Sequence, residues 1–369
     1  MSKLFENSAI NSLELKNRFV RSATWEGMAD ENGNPKPQLL ETMTALAAGG
    51  VGLIITSHAF ISPEGRATPW QLAIDKDDRI DGLRKMTDTV HAAGGRIAVQ
   101  LAHAGAFATA ALSGMPRLVV SPAEGSDPSP QKEMETKDIK AIIEAYAAAA
   151  ERAKAAGFDG LQIHAAHGYL LSQFLSPAFN RRSDKYGGNI ENRSRIHRDI
   201  CHTIRDVVGK HFPVLIKING RDFLENGLTA DDAAMAVRLM AAAGVDAVEL
   251  SGGTIISGKL SPSRSRINAP EKEAYFREEA QILREAINLP LILVGGNRSF
   301  AVADLLVTDG TADYISMSRP FIREPELIRR WQGGDRRPAA CISDNLCFAP
   351  ALEGRGVYCV TRERELQKQ

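Results

Sequence analysis

The 369-residue chain is 44% hydrophobic and 24% charged, and its 45 basic and 45 acidic side chains leave a formal net charge of zero. Such a balance belongs to a globular protein with ample chain for a large core, and nothing in it points to nucleic acid or an anionic membrane as a partner. The longest apolar runs, such as VGLII at 51–55, are far short of a membrane span. The opening MSKLFENSAI has neither the apolar stretch nor the cleavage site of a secretory signal. Four cysteines, Cys201, Cys341, Cys347 and Cys359, are too few for a disulfide scaffold, so a reducing cytoplasm is expected.

Strand-like and helix-like segments alternate along the chain. Short β-branched or apolar runs fall at 17–23, 52–57, 96–102, 160–165, 214–219, 247–251, 291–296 and 314–318. Amphipathic helical patterns follow, clearest at 77–94, 136–157 and 229–244. Thr136 near Asp138, and Thr229 before Asp231 and Asp232, read as helix starts; Gly49, Gly94, Gly157 and Gly244 read as stops. Repeated strand–helix units demand a parallel sheet with right-handed crossovers. Eight of them close most simply into a (β/α)8 TIM barrel. An open doubly wound sheet is the weaker alternative, because no G-x-G-x-x-G turn follows the first strand. The barrel is assigned to 1–335, and 336–369 form a Cys- and Arg-containing tail packed on it or extending from it.

Long connections at 103–135, 166–190 and 252–274 all leave the C-terminal ends of strands, the face that carries the active site in this fold. Polar residues end the strands there: Thr24, His58, Gln100, His103, His164, Lys217, Asn219 and Ser251. The glycines at 295 and 296 and Arg319 follow the last two strands, where backbone N–H groups and a guanidinium commonly receive a phosphate. The stretch HAAHGY then places His164, His167 and Tyr169 together. Zinc ligation is one reading, but no carboxylate accompanies the two histidines. Satisfied core histidines are a second. The third is a pair of hydrogen-bond donors facing a carbonyl oxygen, with Tyr169 as proton source; a phenol of pKa about 10 suits protonation of a basic carbanion.

The segment HAAHGYLLSQFLSPAFNRRSDKYGGNIENRSR (164–195), with QLAHAG (100–105), AAGGVGLIIT (47–56) and AGFDGLQIH (156–164), resembles the old yellow enzyme family of FMN-dependent ene-reductases over essentially the whole chain. The resemblance implies a barrel holding FMN at its mouth, reduced by NADH or NADPH, that passes hydride to the β-carbon of an activated alkene. It implies that His164 and His167 bind the substrate oxygen and that Tyr169 protonates the α-carbon. Gln100 and Lys217 would contact the flavin ring, Ala23, Thr24, Trp25 and His58 would line its edge, and Gly295, Gly296, Asn297, Ser318 and Arg319 would hold the phosphate. A small enone-type substrate also follows; barrels of this family often associate, so a homo-oligomer is left open, with no sequence feature that fixes an interface.

Two positions depart from the family. Trp25 stands where relatives carry Cys or Thr, and Ala106 stands where HAGR is common. The tail CISDNLCF, with Cys341, Asp344, Cys347 and Cys359, resembles the four-cysteine [4Fe–4S] segment of 2,4-dienoyl-CoA reductases, with Asp344 in place of the second cysteine. A decayed site with free thiols and no metal is the favoured expectation over a cluster. The chain ends ten residues beyond Cys359, so electrons are expected directly from a docked nicotinamide or from an outside carrier. Two rival functions are a Schiff-base aldolase or isomerase that uses Lys217 on a phosphorylated substrate, and a non-catalytic flavin-binding redox protein.

Overall fold

The computed structural model describes residues 2–122 and 129–368, so positions 123–128 of the 103–135 connection lie outside the described residues. Eight parallel strands close into a barrel in chain order. They are β1 (Phe19–Arg21), β2 (Leu53–Phe60), β3 (Ile97–Ala102), β4 (Gly160–Ala165), β5 (Val214–Asn219), β6 (Ala247–Ser251), β7 (Leu291–Leu293) and β8 (Tyr314–Met317). The expected (β/α)8 barrel is the observed fold. Its outer layer includes α1 (Pro37–Ala48), α2 (Ile80–Ala92), α3 (Thr136–Ala155), α4 (Arg195–Val208), α5 (Ala230–Ala242), α6 (Arg277–Ala286), α7 (Phe300–Thr308) and α8 (Leu327–Gln332).

Local chemistry sets the helix ends. Thr229 caps α5 by accepting from the Asp232 N–H. At α3 the cap is one residue earlier than the sequence suggests: Glu135 and Asp138 form a reciprocal capping box, and Thr136 is the first helical residue. After α1, Gly49 keeps a right-handed conformation, where an added Cβ would come within 2.0 Å of the Pro325 carbonyl oxygen, and Gly50 takes the left-handed one (φ 93°).

The barrel interior is layered. At the bottom, Val20, Leu53, Ile55, Ala98, Leu215, Ala247, Ile292 and Tyr314 pack against Ile10, Leu13 and Leu15. Those last three belong to an N-terminal hairpin, Ser8–Ile10 with Leu13–Leu15, that plugs the bottom. Two residues further along the strands the apolar interior gives way to polar side chains: Ser22, Gln100, Gln162, Lys217, Glu249 and Ser316, all 0–2% exposed. Two residues beyond those lie Thr24, His164, Asn219, Ser251 and Ser318. Because side chains alternate along a strand, this spacing keeps each polar pair on the interior face.

One irregularity re-aims a side chain. β2 pairs with β3 through Ile55↔Ala98 and then His58↔Gln100, so β2 holds one extra residue. The bulge turns His58, rather than Ser57, toward the mouth.

The tail folds back on the barrel. Asn345 accepts from Arg319 and donates to the Ser263 carbonyl, the Arg266 N–H reaches Ser343, and the Val357 N–H reaches Glu26. Cys341 and Cys347 are buried, Cys359 is half-buried, and all four thiols of the chain are free.

Candidate active site

At the C-terminal ends of the strands lies a cavity of about 460 Å³, a size that suits a small molecule or cofactor. Ala23, Thr24 and Trp25 form one wall; Gly296, Asn297, Ser318 and Arg319 form the side at β7 and β8; Gln100 and Lys217 lie at the floor; His58, His164, His167 and Tyr169 stand together on the remaining side. Residues that the sequence did not single out complete it, notably Ile255, Ser261, Pro262, Tyr275 and Phe348. They come from the 252–274 connection, the turn beyond it and the tail, where polarity patterns carry no signal of what a loop will cover.

The aromatic cluster is tight. The His164 ring centre lies 5.2 Å from that of His167 and 5.0 Å from that of Tyr169, each pair edge to face. The Tyr169 hydroxyl is 3.3 Å from Nε2 of His58. His167 has a left-handed backbone (φ 64°), as does the following Gly168. That turn is held by the His167 N–H donating to Asn219 Oδ1 at 3.1 Å, and the ring is held by Ser251 Oγ, 2.8 Å from Nε2. Burial depresses both imidazoles far below 6.5; His167, His58 and Lys217 add to it at His164, and Lys217 and His58 add to it at His167. Both are therefore neutral at physiological pH and carry one N–H each. Burial raises the Tyr169 phenol above its ordinary value, so it stays protonated.

Beneath the cluster, Glu249 gathers the polar layer. Its Oε1 accepts from Ser22 and Ser316, each at 2.7 Å, and lies 3.3 Å from Lys217 Nζ; its Oε2 accepts from Gln162 at 2.8 Å. Lys217 Nζ also donates to Ser22 Oγ, and Gln100 Nε2 donates to Gln162 Oε1, both at 2.7 Å. Burial by itself raises the Glu249 carboxyl, yet Lys217 and the three donors outweigh it and hold the group below the usual carboxylate value. Burial draws the Lys217 ammonium down, and Glu249 offsets part of that. These directions pull the shared proton opposite ways; four donors on one carboxylate decide for the ion pair. Glu249, Gln162, Ser22 and Ser316 were not singled out in the sequence, although Gln162 and Glu249 each stand two residues before a strand-end residue that was.

Other strand-end residues have different duties. His103 packs flat under Gly65, where an added Cβ would come within 2.4 Å of the ring, and it does not line the cavity. Asn219 does not line it either; besides holding His167, it donates to Asp222 and to the Gly253 carbonyl. Gly295 is packed beneath Phe276 rather than exposed to the cavity. Asn297 uses its amide N–H2 on the carbonyls of Leu293 and Ser316, tying β7 to β8. Arg319 donates to Asn345 at 2.6 Å.

Burial lowers His58 to about 4 and His103 and His197 to about 3. In the unfolded chain these groups titrate near 6.5, so between pH 6.5 and 4 the unfolded state binds more protons. Their contribution to stability is complete above pH 6.5 and is lost as pH falls through 4 and then 3. A thermal unfolding midpoint that falls steadily from pH 6.5 to 4 is the expected outcome; a midpoint flat across that window would contradict neutral burial.

Among the described residues no three or more His, Cys, Asp or Glu side chains are arranged to hold a metal ion. Asp344 instead accepts from Thr361 Oγ1 at 2.5 Å, and Cys359 Sγ caps the last helix by accepting from the Arg362 N–H at 3.4 Å. The residues fit FMN better. Trp25 Nε1 and His164 Nδ1 are buried with no hydrogen-bond partner among the described residues, and the cavity offers Lys217 and Gln100 at its floor and Arg319 at its rim. A polar heteroaromatic ring with an anionic tail matches that set. No described helix is long and apolar enough to cross a membrane.

Comparison with known proteins agrees with this geometry. Among curated relatives, an NADH oxidase of Thermoanaerobacter brockii is 31% identical over 99% of this chain, and an NADPH dehydrogenase of Halalkalibacterium halodurans is 34% identical over 88% of it. The chain spans 92% of the second but only 58% of the first, and 55% of a metal reductase of Desulforamulus reducens. Among solved structures, an old yellow enzyme homologue from Zymomonas mobilis superposes with a TM-score of 0.78 at 25% identity, covering 97% of both chains. Morphinone reductase in complex with tetrahydroNAD gives a TM-score of 0.75 at 28% identity, covering 90% of this chain and 91% of that one. The profile of the NADH:flavin oxidoreductase / NADH oxidase family matches residues 3–337, which leaves the cysteine-bearing tail almost wholly outside it. With that match over nearly the whole barrel, and the site it encloses, this chain belongs to the NADH:flavin oxidoreductase / NADH oxidase family, the old yellow enzymes.

Proposed function

We propose that this protein is an FMN-dependent oxidoreductase that takes electrons from NADH or NADPH and reduces activated C=C bonds of small molecules, such as α,β-unsaturated carbonyl compounds. The observation that carries this reading is the placement of two neutral imidazoles and a protonated phenol, the His164 ring centre 5.2 Å from that of His167 and 5.0 Å from that of Tyr169, in the same cavity as Gln100 and Lys217. Bound FMN would supply the hydride. Gln100 and Lys217 would hold its ring from the floor, and Ala23, Thr24, Trp25 and His58 would border it. Gly296, Ser318 and Arg319 would meet its phosphate, with Gly295 and Asn297 shaping that loop from behind.

The chain's own residues account for the rest. Adding hydride to the β-carbon of an enone builds negative charge on its oxygen. Two imidazole N–H groups aimed at that oxygen bind the charge more strongly than the neutral carbonyl, which lowers the barrier selectively. Their neutrality matters, because neither group can lose its hydrogen-bonding proton cheaply to the developing oxyanion's neighbours. Tyr169 then gives its phenolic proton to the α-carbon. His58, neutral and 3.3 Å away, can accept a hydrogen bond from the phenol and orient it.

Similarity to an NADPH dehydrogenase and to morphinone reductase supports this reaction class. A Schiff-base role for Lys217 fits less well, since its ammonium is committed to Glu249 and Ser22 and presents no free lone pair. The tail reads best as a metal site that has lapsed, with a cytoplasmic setting consistent with four free thiols.

Absorption spectra of the purified protein, taken before and after anaerobic NADH or NADPH, test the reading together with turnover of 2-cyclohexenone. Flavin bands that bleach with the nicotinamide, and turnover of the enone, are expected. Protein that takes up no FMN even when it is supplied would overturn the proposal; bleaching with no turnover on any enone would favour the non-catalytic alternative.

A further inference from the structure

We infer that Glu249 is a positioning residue: from below the cavity it fixes Lys217 as a cation and Gln100 as a hydrogen-bond acceptor, the polarity that the ring of a bound flavin would read. This rests on the reading of the site as an FMN site.

The inference follows from the direction of each hydrogen bond. An ammonium only donates, so Lys217 Nζ must donate to Ser22 Oγ, 2.7 Å away. Ser22 then has its own proton left for Glu249 Oε1, also at 2.7 Å. An ionised carboxylate only accepts, so Gln162 must turn its Nε2 toward Glu249 Oε2 (2.8 Å). That turn exposes Gln162 Oε1 to Gln100, which must answer with its Nε2 (2.7 Å). Gln100 is left with its carbonyl oxygen for the cavity it lines. One anion therefore sets three amide and hydroxyl orientations in sequence, across β6, β4, β3 and β1. Amide orientation is ordinarily ambiguous, but a chain that begins at a group with no donor has only one consistent assignment.

The outcome at the cavity is one acceptor and one cation. The pyrimidine half of an isoalloxazine carries one N–H between two carbonyl groups, and the ring gains negative charge on reduction. An acceptor for the N–H and a cation for that charge are the complementary pair. Lys217 keeps its charge because Glu249 faces it at 3.3 Å. The other groups around it all oppose that charge or are neutral: Arg21 from β1, and His164 and His167 above. Without Glu249 a buried ammonium would have no counter-ion, and it would release its proton.

Glu249→Gln keeps the shape and removes the charge. Three measurements on FMN-loaded protein read the consequence. FMN binding should weaken at least about tenfold, the factor that corresponds to loss of one well-formed hydrogen-bonding interaction of about 1.4 kcal/mol. The midpoint potential should become more pH-dependent between pH 6 and 9. In the parent protein two electrons bring one proton; in Glu249→Gln, Lys217 would take up a second on reduction, so the slope against pH doubles. Glu249→Asp, which keeps the charge, should restore the single-proton slope. Gln162→Leu cuts the arm to Gln100 but leaves Glu249 its contacts with Lys217, Ser22 and Ser316, and should weaken FMN binding while leaving the slope unchanged.

Unchanged affinity and slope in Glu249→Gln would overturn the inference. If that variant does not fold, Gln162→Leu decides: FMN affinity equal to that of the parent would overturn it. A parent protein that binds no FMN would be a different failure, that of the flavin reading itself.

Discussion

Tyr169→Phe is expected to slow reduction of an enone by the reduced enzyme by about 10²-fold or more, the usual worth of a positioned general acid, while hydride transfer from the nicotinamide proceeds at the parent rate. The asymmetry follows from what the phenol can do. Accepting hydride from NADH or NADPH requires no proton from Tyr169, whereas saturating a C=C bond requires one at the α-carbon. Burial raises the phenol's pKa, so it holds its proton at physiological pH, and a carbanion next to a carbonyl is basic enough to take it. The fold should be untouched, since among the described residues the hydroxyl's one hydrogen-bond partner is His58, 3.3 Å away. Stopped-flow measurement of the two half-reactions separately gives the answer. Equal slowing of both halves would remove Tyr169 from the proton step and leave it a packing role.

How much of this could be seen before folding varies along the chain. The barrel was legible because its signals are local: apolar strands recur in all eight units, and helix patterns and glycine stops in several of them. His164, His167 and Tyr169 were legible because three chemically unusual side chains fall within six positions. Equivalent strand ends were less safe guides. His103 and His164 both end a strand, yet Gly65 opens a slot that His103 fills, and a glycine 38 positions away in the sequence gives no warning of that.

Glu249 was illegible for a similar reason. In AVELS it reads as a single charge in a strand, and its partners lie 87, 67 and 227 positions distant. The bulge that aims His58 was hidden as well, since strict alternation through β2 would have placed Ser57 there. Sequence periodicity finds which face a residue occupies; it does not find which residues close the circuit across the barrel.

The histidine pair carries the second large effect. His167→Ala should lower the rate of enone reduction by about 10²–10³-fold, the range for removal of one donor to a developing oxyanion, and His164→Ala should do the same. The conservative change separates charge binding from space filling. His167→Asn keeps a short donor on the same turn, and its loss should be held to about tenfold. Ser251→Ala provides the complementary check. Ser251 Oγ lies 2.8 Å from Nε2 of His167 and is the ring's hydrogen-bond partner, so its removal frees the ring and its tautomer without deleting the donor. A loss smaller than that of His167→Ala, seen in kcat more than in KM, is expected, because the oriented N–H matters most where negative charge has built up. If His167→Asn were as slow as His167→Ala, the imidazole would be acting through its shape or its packing against His164, 5.2 Å away, rather than as a donor to the substrate oxygen.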